Sequence, residues 1–291
     1  MSTPSSPEAA VPTRVGVLGG GRMGAGIAHA FLLAGSPVIV VERDDAAAAA
    51  AAARVYGSIE ASLARGTAIE TAEAYRARFA TGTDAALFAD CTLVIEAVPE
   101  ELSLKIDALT RVEQHLADDA ALASNTSSIS IDELAAVLDR PARFLGMHFF
   151  NPVPASTLVE VVRGGATAET LVADAASWVR ALGKTPIVVA DAPGFASSRL
   201  GVALGLEAIR MLEDGVASAA DIDAAMTLGY KHPVGPLRLT DIVGLDVRLG
   251  IAEYLAAQLG PRFEPPALLR RLVAEGHLGR KSGRGFYEWD D

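Results

Sequence analysis

The chain has 291 residues, 51% of them hydrophobic and 21% charged, and its formal net charge is −11. This length and composition predict a globular protein with one large core or two modest cores, not a disordered chain. Nucleic acid is not an expected partner, because a negative field repels a phosphate backbone. Every long apolar run is interrupted well before the roughly 18 residues of a membrane span, so none is expected. A single cysteine cannot form an internal disulfide, which is typical of a reducing cytoplasm.

The first predicted feature is a flexible tail at residues 1–12, which contains several Pro, Ser and Thr residues and lacks the basic and apolar regions of a signal peptide. Short apolar runs then alternate with segments of helical character, which predicts a parallel sheet wrapped by helices. The alanine run 46–53 predicts a helix, because alanine is the best helix former and Asp44 and Asp45 precede it. Cys91 is interpreted as a buried strand position. The predicted strands are 14–18, 37–41, 91–96, 120–124, 143–148, 158–162 and 185–190.

A change of composition after Asp191 predicts a domain boundary. The segment Ala192-Pro193-Gly194 interrupts the chain, and apolar residues then recur at helical spacing without a convincing strand. We therefore expect an α/β domain at residues 13–190 and a helical domain at residues 191–291.

The first chemical motif is Gly19-Gly20-Gly21-Arg22-Met23-Gly24, which fits the GxGxxG pattern directly after a predicted strand and opens a helix. Glycines at Gly19, Gly21 and Gly24 permit a tight turn and close approach of the backbone to a pyrophosphate, and the helix N-terminus supplies amide donors. Glu42 ends the second predicted strand 18 residues after Gly24, near the offset at which an acidic residue accepts the ribose hydroxyls. The sequence therefore predicts a dinucleotide site.

Glu42 favours NAD over NADP, because a carboxylate at this position would repel a 2′-phosphate. Arg43 directly follows it and could contact a 2′-phosphate, so NADP remains an alternative. No metal is expected in the site.

A second group of polar residues follows later strands. One predicted strand ends at the start of the polar segment Ser124 to Ser128. His148 ends the next predicted strand, and Glu160 lies in the strand after that. Polar residues at strand ends of an open α/β sheet belong to the crevice in which ligands bind. A carboxylate on one imidazole nitrogen would fix the tautomer and leave the other nitrogen to take a hydroxyl proton. The alternative is a histidine at a strand end without a chemical role.

These motifs resemble the 3-hydroxyacyl-CoA dehydrogenase family, including bacterial 3-hydroxybutyryl-CoA dehydrogenases. The likeness extends from Val15 to about Trp289. Its specific blocks are Ser124 to Ser128, Gly146 to Pro154 with Leu158-Val159-Glu160, Asp191 to Leu200, Gly229 to Pro236, and Leu278 to Tyr287.

The resemblance implies a Rossmann-type N-terminal domain, an all-helical C-terminal domain that forms a homodimer, and NAD-dependent oxidation of an (S)-3-hydroxyacyl-CoA to the 3-oxoacyl-CoA. By position, it implies that His148 is the base, Glu160 its orienting partner and Ser127 a ligand of the substrate oxygen. It also implies cofactor contacts at Arg22, Met23, Ala97, Glu100, Lys105 and Asn125, and substrate contacts at Asn151, Ser198 and Ser62. An alternative for Glu100 and Lys105 is a helix-start carboxylate and an exposed lysine.

Two positions depart from the family pattern. Ser198 stands where the family commonly has asparagine, which changes the available hydrogen bonds; alternatively it only caps a helix. Ser62 matches a position near CoA, but the lysine expected after it is missing, and Arg54 or Arg65 could substitute.

Three alternative functions stay open at this stage. The same chemistry could act on a hydroxyacyl group held by an acyl carrier protein, because the match to the CoA site is weak. It could act on a free hydroxy acid. The chain could also be a non-catalytic NAD-binding protein of the crystallin type.

Overall fold

The computed structural model describes residues 11–290, which separate into two compact units with the division after Asp191. The predicted tail lies outside the described residues except for its last two. Of these, Pro12 is buried, and its carbonyl accepts a hydrogen bond from Ser36 Oγ at 2.8 Å. The described end of that stretch therefore packs on the first unit.

The first unit is built around one eight-stranded sheet with the spatial order β3-β2-β1-β4-β5-β6-β7-β8. All neighbouring strands pair in parallel except β6 and β7, which are antiparallel. The strands are β1 (Val15–Leu18), β2 (Val38–Val41), β3 (Phe79–Gly82), β4 (Leu93–Glu96), β5 (Ala121–Ser124), β6 (Phe144–Phe149), β7 (Leu158–Arg163) and β8 (Thr185–Ala190).

The expectation of an α/β fold is confirmed, with two corrections to the sheet. The antiparallel β6 and β7 form a hairpin, so the last two strands run against the first six. Strand β3 was not predicted, because Phe79 is its one large apolar residue and a four-residue edge strand leaves little hydrophobic pattern. Cys91 is buried as expected but precedes β4 instead of lying within it.

Helices pack on this sheet and bury its apolar strands. Helix α2 contains the predicted alanine run, and Asp44 Oδ1 caps it by accepting a hydrogen bond from Ala47 N at 2.7 Å. The helices are α1 (Arg22–Leu33), α2 (Asp45–Ala64), α3 (Ala72–Ala77), α4 (Leu102–Glu113), α5 (Ile131–Ala135) and α6 (Glu169–Ala181).

The second unit is helical, as expected. Among its described residues, β pairing is limited to isolated bridges, and none forms a strand. Asp241, fully buried on α9, accepts hydrogen bonds from the backbone amides of Phe286 and Tyr287 and from Trp289 Nε1. The C-terminal segment is thereby tied to the helices. These are α7 (Ser197–Glu213), α8 (Ala219–Gly229), α9 (Pro236–Val243), α10 (Leu245–Leu259) and α11 (Ala267–Ala274).

Across residues 11–290, every helix is too short or too polar to cross a membrane.

Helices α1 and α2 are joined by a buried contact between His29 Nε2 and Ser62 Oγ at 3.0 Å. Burial, together with the nearby charges of Arg65 and Lys184, lowers the pKa of His29 from 6.5 to about 4. Between these two pH values the unfolded chain binds a proton that the folded chain does not. The free energy of unfolding therefore falls as the pH falls from about 6.5 to about 4.

We predict that His29→Gln weakens this pH dependence, because glutamine stays neutral and can still bond to Ser62. The measurement is the melting temperature at several pH values between 6.5 and 4.5. Wild type should lose more stability than the variant as the pH falls. His115→Gln, a histidine change outside the α1–α2 contact, is the control and should follow wild type. Parallel curves for wild type and His29→Gln would contradict the assignment.

Candidate active site

Four adjacent strands end at one edge of the sheet and place the predicted site residues there. Leu18 of β1 pairs with Glu96 of β4, Glu96 pairs with Ser124 of β5, and Ser124 pairs with Gly146 of β6. The glycine loop, Ala97, the Ser124–Ser128 segment and His148 follow directly from these positions. The carboxyl edge of the parallel strands is therefore the candidate site, as in other open α/β sheets.

Close packing requires glycine at two positions of the loop between β1 and α1. Gly19 has a φ of +91°, and a Cβ there would lie 3.0 Å from the carbonyl oxygen of Ala97. A Cβ at Gly24 would lie 1.8 Å from the carbonyl oxygen of Gly19. At Gly21, by contrast, a Cβ would meet no protein atom within 4 Å. The loop is thus packed on its inner side and open above Gly21, where a pyrophosphate would approach the start of α1.

Glu42 lies directly after β2 and is tied to the glycine loop. Its Oε1 accepts a hydrogen bond from the amide of Gly20 at 2.7 Å. Arg43 is directed away, with an exposed side chain whose Nε lies 3.0 Å from Asp44 Oδ2. Arg54 of α2 also contacts the loop, since its Nη1 donates to the carbonyl oxygen of Gly20 at 3.2 Å. A carboxylate therefore stands where the ribose of NAD is expected, and the arginine next to it is engaged elsewhere.

Glu100 holds the loop that follows β5. Its Oε1 accepts hydrogen bonds from Thr126 Oγ1 at 2.6 Å, from Ser127 N at 2.8 Å and from Ser128 N at 3.1 Å. Burial alone would raise the pKa of Glu100, but the charge of Lys105 and the bonds from Thr126 and Ser127 hold that pKa below its ordinary value. Glu100 is therefore ionised at neutral pH and fixes the backbone around Ser127.

Lys105 is buried, so its interpretation as an exposed lysine is wrong. Its ammonium lies 2.7 Å from Glu96 Oε1 and 3.3 Å from Glu100 Oε2, and it donates to the carbonyl oxygen of Val98 at 3.2 Å. Only 1% of the Lys105 side chain is exposed. The ammonium group of Lys105 therefore contacts two carboxylates and one carbonyl oxygen of the protein itself.

His148 and Glu160 face each other across the antiparallel hairpin. They occupy directly paired positions of β6 and β7, and His148 Nδ1 lies 2.7 Å from Glu160 Oε2. Glu160 is fully buried and His148 nearly so, and the His148 ring stacks at a tilt on Phe150 with centroids 4.4 Å apart. The carboxylate therefore contacts Nδ1 and holds the imidazole ring in one orientation.

Two further side chains, Asn125 and Lys184, hold the strand and loop around His148. Asn125 Oδ1 accepts a hydrogen bond from the amide of Phe149 at 2.9 Å, which joins the β5 loop to the end of β6. Beyond β6, Lys184 Nζ donates to the carbonyl oxygens of Val153 at 2.6 Å and Ser156 at 2.5 Å. Asn151 is exposed at the start of this β6–β7 loop.

The residues 14–192 match the family model described as "3-hydroxyacyl-CoA dehydrogenase, NAD binding domain", and residues 194–289 match the one described as "3-hydroxyacyl-CoA dehydrogenase, C-terminal domain". The chain belongs to the 3-hydroxyacyl-CoA dehydrogenase family. The resemblance inferred from the sequence is thereby confirmed, and so is NAD as the cofactor of the first domain.

Similar proteins cover nearly the whole chain. A probable 3-hydroxybutyryl-CoA dehydrogenase of Deinococcus radiodurans is 42% identical over 281 residues, which are 95% of this chain and 100% of the relative. A 3-hydroxybutyryl-CoA dehydrogenase of Mycobacterium tuberculosis is 42% identical over 286 residues, with 95% and 98% covered. The crystal structure of (S)-3-hydroxybutyryl-CoA dehydrogenase from Ralstonia eutropha superposes with a TM-score of 0.92 at 40% identity, over 96% of this chain and all of that one.

The other predicted cofactor and substrate contacts differ in how exposed they are. Arg22 is exposed at the start of α1, whereas Met23 packs partly against the core. Ser62 is only 1% exposed and is engaged by His29, so its hydroxyl lies behind the surface of α2 and not on it. Ser198 is the second residue of α7, after Ala196 at the N-cap, so its interpretation as the helix cap is wrong.

Sequence reasoning missed several residues of the candidate site. Glu96 appeared as the last residue of an apolar run, and Ser124 and Thr126 were noticed only as members of a polar segment. Gly20 was the unassigned glycine of the motif, although a Cβ there would lie 2.3 Å from that of Ala51. A carboxylate that ends an otherwise apolar strand is the signal that could have identified Glu96, because such a group needs a buried partner.

We predict that alanine substitutions at Gly21 and Gly24 separate ligand binding from stability. Gly21→Ala should leave the melting temperature nearly unchanged but weaken NADH binding at least about tenfold, because its Cβ occupies the open space of the cradle. Gly24→Ala should lower the melting temperature as well, since its Cβ overlaps the Gly19 carbonyl. NADH binding is measured by titration.

The control is Gly250→Ala in α10, where a Cβ has open space and the backbone is helical. It should leave NADH binding unchanged and add up to about 1 kcal/mol to the free energy of unfolding. Normal NADH affinity in Gly21→Ala would place the pyrophosphate elsewhere.

Proposed function

We propose that this protein oxidises (S)-3-hydroxyacyl-CoA to 3-oxoacyl-CoA with NAD and catalyses the reverse reduction. The observation that carries the proposal is the buried His148–Glu160 pair, at 2.7 Å, on the sheet edge that also holds the glycine loop. The names of the bacterial relatives support the substrate class.

His148 and Glu160 perform the proton transfer in this proposal. As the C3–O bond of the substrate becomes a carbonyl, His148 Nε2 takes the hydroxyl proton and the C3 hydrogen leaves as hydride. Glu160 stabilises the resulting imidazolium through Nδ1 and keeps the ring in one orientation. NAD, when bound, supplies the acceptor of the hydride.

Ser127 positions the substrate oxygen. Its amide is held by Glu100, so its hydroxyl is presented from a loop whose backbone is fixed on the neighbouring strand β5. Preorganised donors of this kind favour the transition state without reorganisation during the reaction. Asn125 contributes by tying that loop to β6 next to His148. Asn151 and Ser198 remain proposed substrate contacts.

We predict that His148→Ala lowers turnover by roughly 10²- to 10⁴-fold while NADH still binds, because only proton transfer is lost. Glu160→Gln should lower turnover in the same direction but less severely, since histidine is retained. The assay follows NADH formation from 3-hydroxyacyl-CoA substrates of graded chain length. NADH titration and melting temperature serve as the controls for cofactor binding and folding.

The same assay separates the alternative functions. Turnover of the acid without thioester would support a free-acid dehydrogenase, and faster turnover of the acyl carrier protein ester would identify that carrier. Bound NADH without turnover of any substrate would support the non-catalytic protein. Unchanged turnover in a folded His148→Ala protein would remove His148 from the mechanism.

An arginine-lined cavity favours CoA as the carrier. It has a volume of about 470 Å³ and lies against α1, α2 and the β6–β7 loop. Arg22, Arg54 and Arg65 line it, although the chain as a whole is acidic. Guanidinium groups bind phosphates through paired hydrogen bonds. Arg65 thus takes the place of the lysine that this chain lacks after Ser62.

We predict that Arg65→Ser raises the KM for acetoacetyl-CoA about tenfold, which corresponds to about 1.4 kcal/mol. The KM for an acetoacetyl thioester of N-acetylcysteamine should stay unchanged, because that substrate has no phosphate. Arg76→Ser is the matched control, since Arg76 is an exposed arginine paired with Glu60 and does not line the cavity. Equal changes for both substrates would contradict a phosphate contact.

The helical domain supports a homodimer in this proposal. It exposes large apolar side chains, among them Leu200 at 70%, Leu228 at 81% and Tyr230 at 75%. Exposed apolar side chains mark a protein-binding surface where they form one contiguous patch, and in this proposal the dimer contact supplies that patch. A cytoplasmic location accompanies the proposal, because Cys91 is a buried free thiol and the relatives named above are bacterial.

A further inference from the structure

Five residues at the sheet edge form a closed ring of polar contacts, four through side chains alone and one through the backbone amide of Thr126; we name it the carboxylate ring. Glu96 Oε2 accepts a hydrogen bond from Ser124 Oγ at 2.5 Å, and Ser124 Oγ in turn accepts one from the amide of Thr126 at 3.2 Å. Thr126 Oγ1 donates to Glu100 Oε1 at 2.6 Å. Lys105 closes the ring, 3.3 Å from Glu100 Oε2 and 2.7 Å from Glu96 Oε1.

The ring joins two loops that emerge from neighbouring strands. Glu96 ends β4 and Ser124 ends β5, and the two are directly paired in the sheet. The ring ties segment 97–101, which leads into α4, to segment 125–130, which carries Ser127. The amide of Val98 also donates to Glu96 Oε1 at 2.7 Å. Both loops are thus fixed from one carboxylate.

Glu96 is the member with the strongest constraint. Its side chain is fully buried, and a buried carboxylate is stable only when paired and hydrogen-bonded. It supplies the short contact to Lys105, which then stands between two carboxylates and holds Glu100 in place. Loss of the Glu96 charge would leave the buried ammonium with Glu100 and one carbonyl, and would draw it from its present position.

We propose that Glu96 is a positioning residue for the dehydrogenase reaction: through Ser124 and through Lys105 and Glu100, it sets the position of the Ser127 hydroxyl. The inference rests on the proposed function, in which Ser127 binds the substrate oxygen. Glu96 itself touches neither substrate nor cofactor in this scheme.

The first test measures the loop without using activity. In Glu96→Gln, amide hydrogen exchange in peptides covering residues 124–130 should become at least about tenfold faster, because the Ser127 and Ser128 amides lose a firmly held acceptor. Glu113→Gln is the matched control: Glu113 is a buried glutamate at the other end of α4 that accepts from the amides of Asp139 and Arg140. It should loosen its own contacts and leave peptides 124–130 at the wild-type rate.

The second test asks whether Glu96 acts through Ser127. Glu96→Gln should lower kcat by about 10²-fold, as a misplacement of about 1 Å can do, and should lower NADH affinity by a clearly smaller factor, because the same residue also holds segment 97–101. Combined with Ser127→Ala, the two substitutions should be strongly non-additive, because the second removes the group that the first displaces. Glu113→Gln should retain wild-type kcat.

Several outcomes would overturn the inference. Additive losses in the double variant, an unchanged kcat, or an equal loss of NADH affinity would show that Glu96 does not act on Ser127. If Glu96→Gln does not fold, Ser124→Ala opens the ring at an uncharged member and should give the same exchange and non-additivity. Failure of the wild type to oxidise any 3-hydroxyacyl-CoA would refute the proposed function, whereas the exchange experiment would still decide whether the ring holds the loop.

Discussion

The lateral pairing of β1, β4, β5 and β6 is the constraint on which the rest of the site depends. Because these strands are parallel and in register, the residues that follow each of them emerge along one line. Leu18, Glu96, Ser124 and Gly146 mark that line. The glycine loop and the His148–Glu160 pair belong to distant parts of the chain, and the strand pairing places them on one edge of the sheet.

Several buried polar groups lie at that edge. Because they are buried, each of them has a charged or hydrogen-bonding partner. Moving a charge out of water costs several kcal/mol unless partners replace the water. Glu160 has His148, Glu96 has Lys105 and two hydrogen-bond donors, and both carboxylates are fully buried. Removal of one member leaves the other uncompensated, so these residues respond as groups.

The sequence predicted those features that arise from local pattern. Continuous apolar runs located most strands, and the motif from Gly19 to Gly24 with Glu42 predicted NAD as the cofactor, because both signals are complete within a short segment. Strand β3 was missed, since Phe79 gives too little pattern for four residues. The direction of β7 was also wrong, because the eight residues of the loop 150–157 decide whether it returns beside β6 or crosses over.

That error in direction bears on the site itself. In a fully parallel sheet, a residue in the middle of β7 would not stand opposite the end of β6, and the meeting of His148 with Glu160 would depend on side-chain reach. In the antiparallel hairpin they are paired directly. Lys105 shows the same limit of sequence reasoning, because its partner Glu96 lies on another element, and no spacing along the chain distinguishes a buried lysine from an exposed one.

An acidic chain can still bind a ligand that carries phosphates, because its net charge is screened at long range whereas arginine side chains act at short range. A net charge of −11 is spread over the surface, and at physiological salt its field is screened beyond roughly 8 Å. Arg22, Arg54 and Arg65 instead act within one cavity, at the short range where charge-assisted hydrogen bonds form. The glycine loop adds amides, which carry no net charge. In the proposed function, local donors therefore outweigh the overall charge for a small phosphate-bearing ligand, whereas that charge opposes an extended polyanion such as nucleic acid, which must contact a far larger surface.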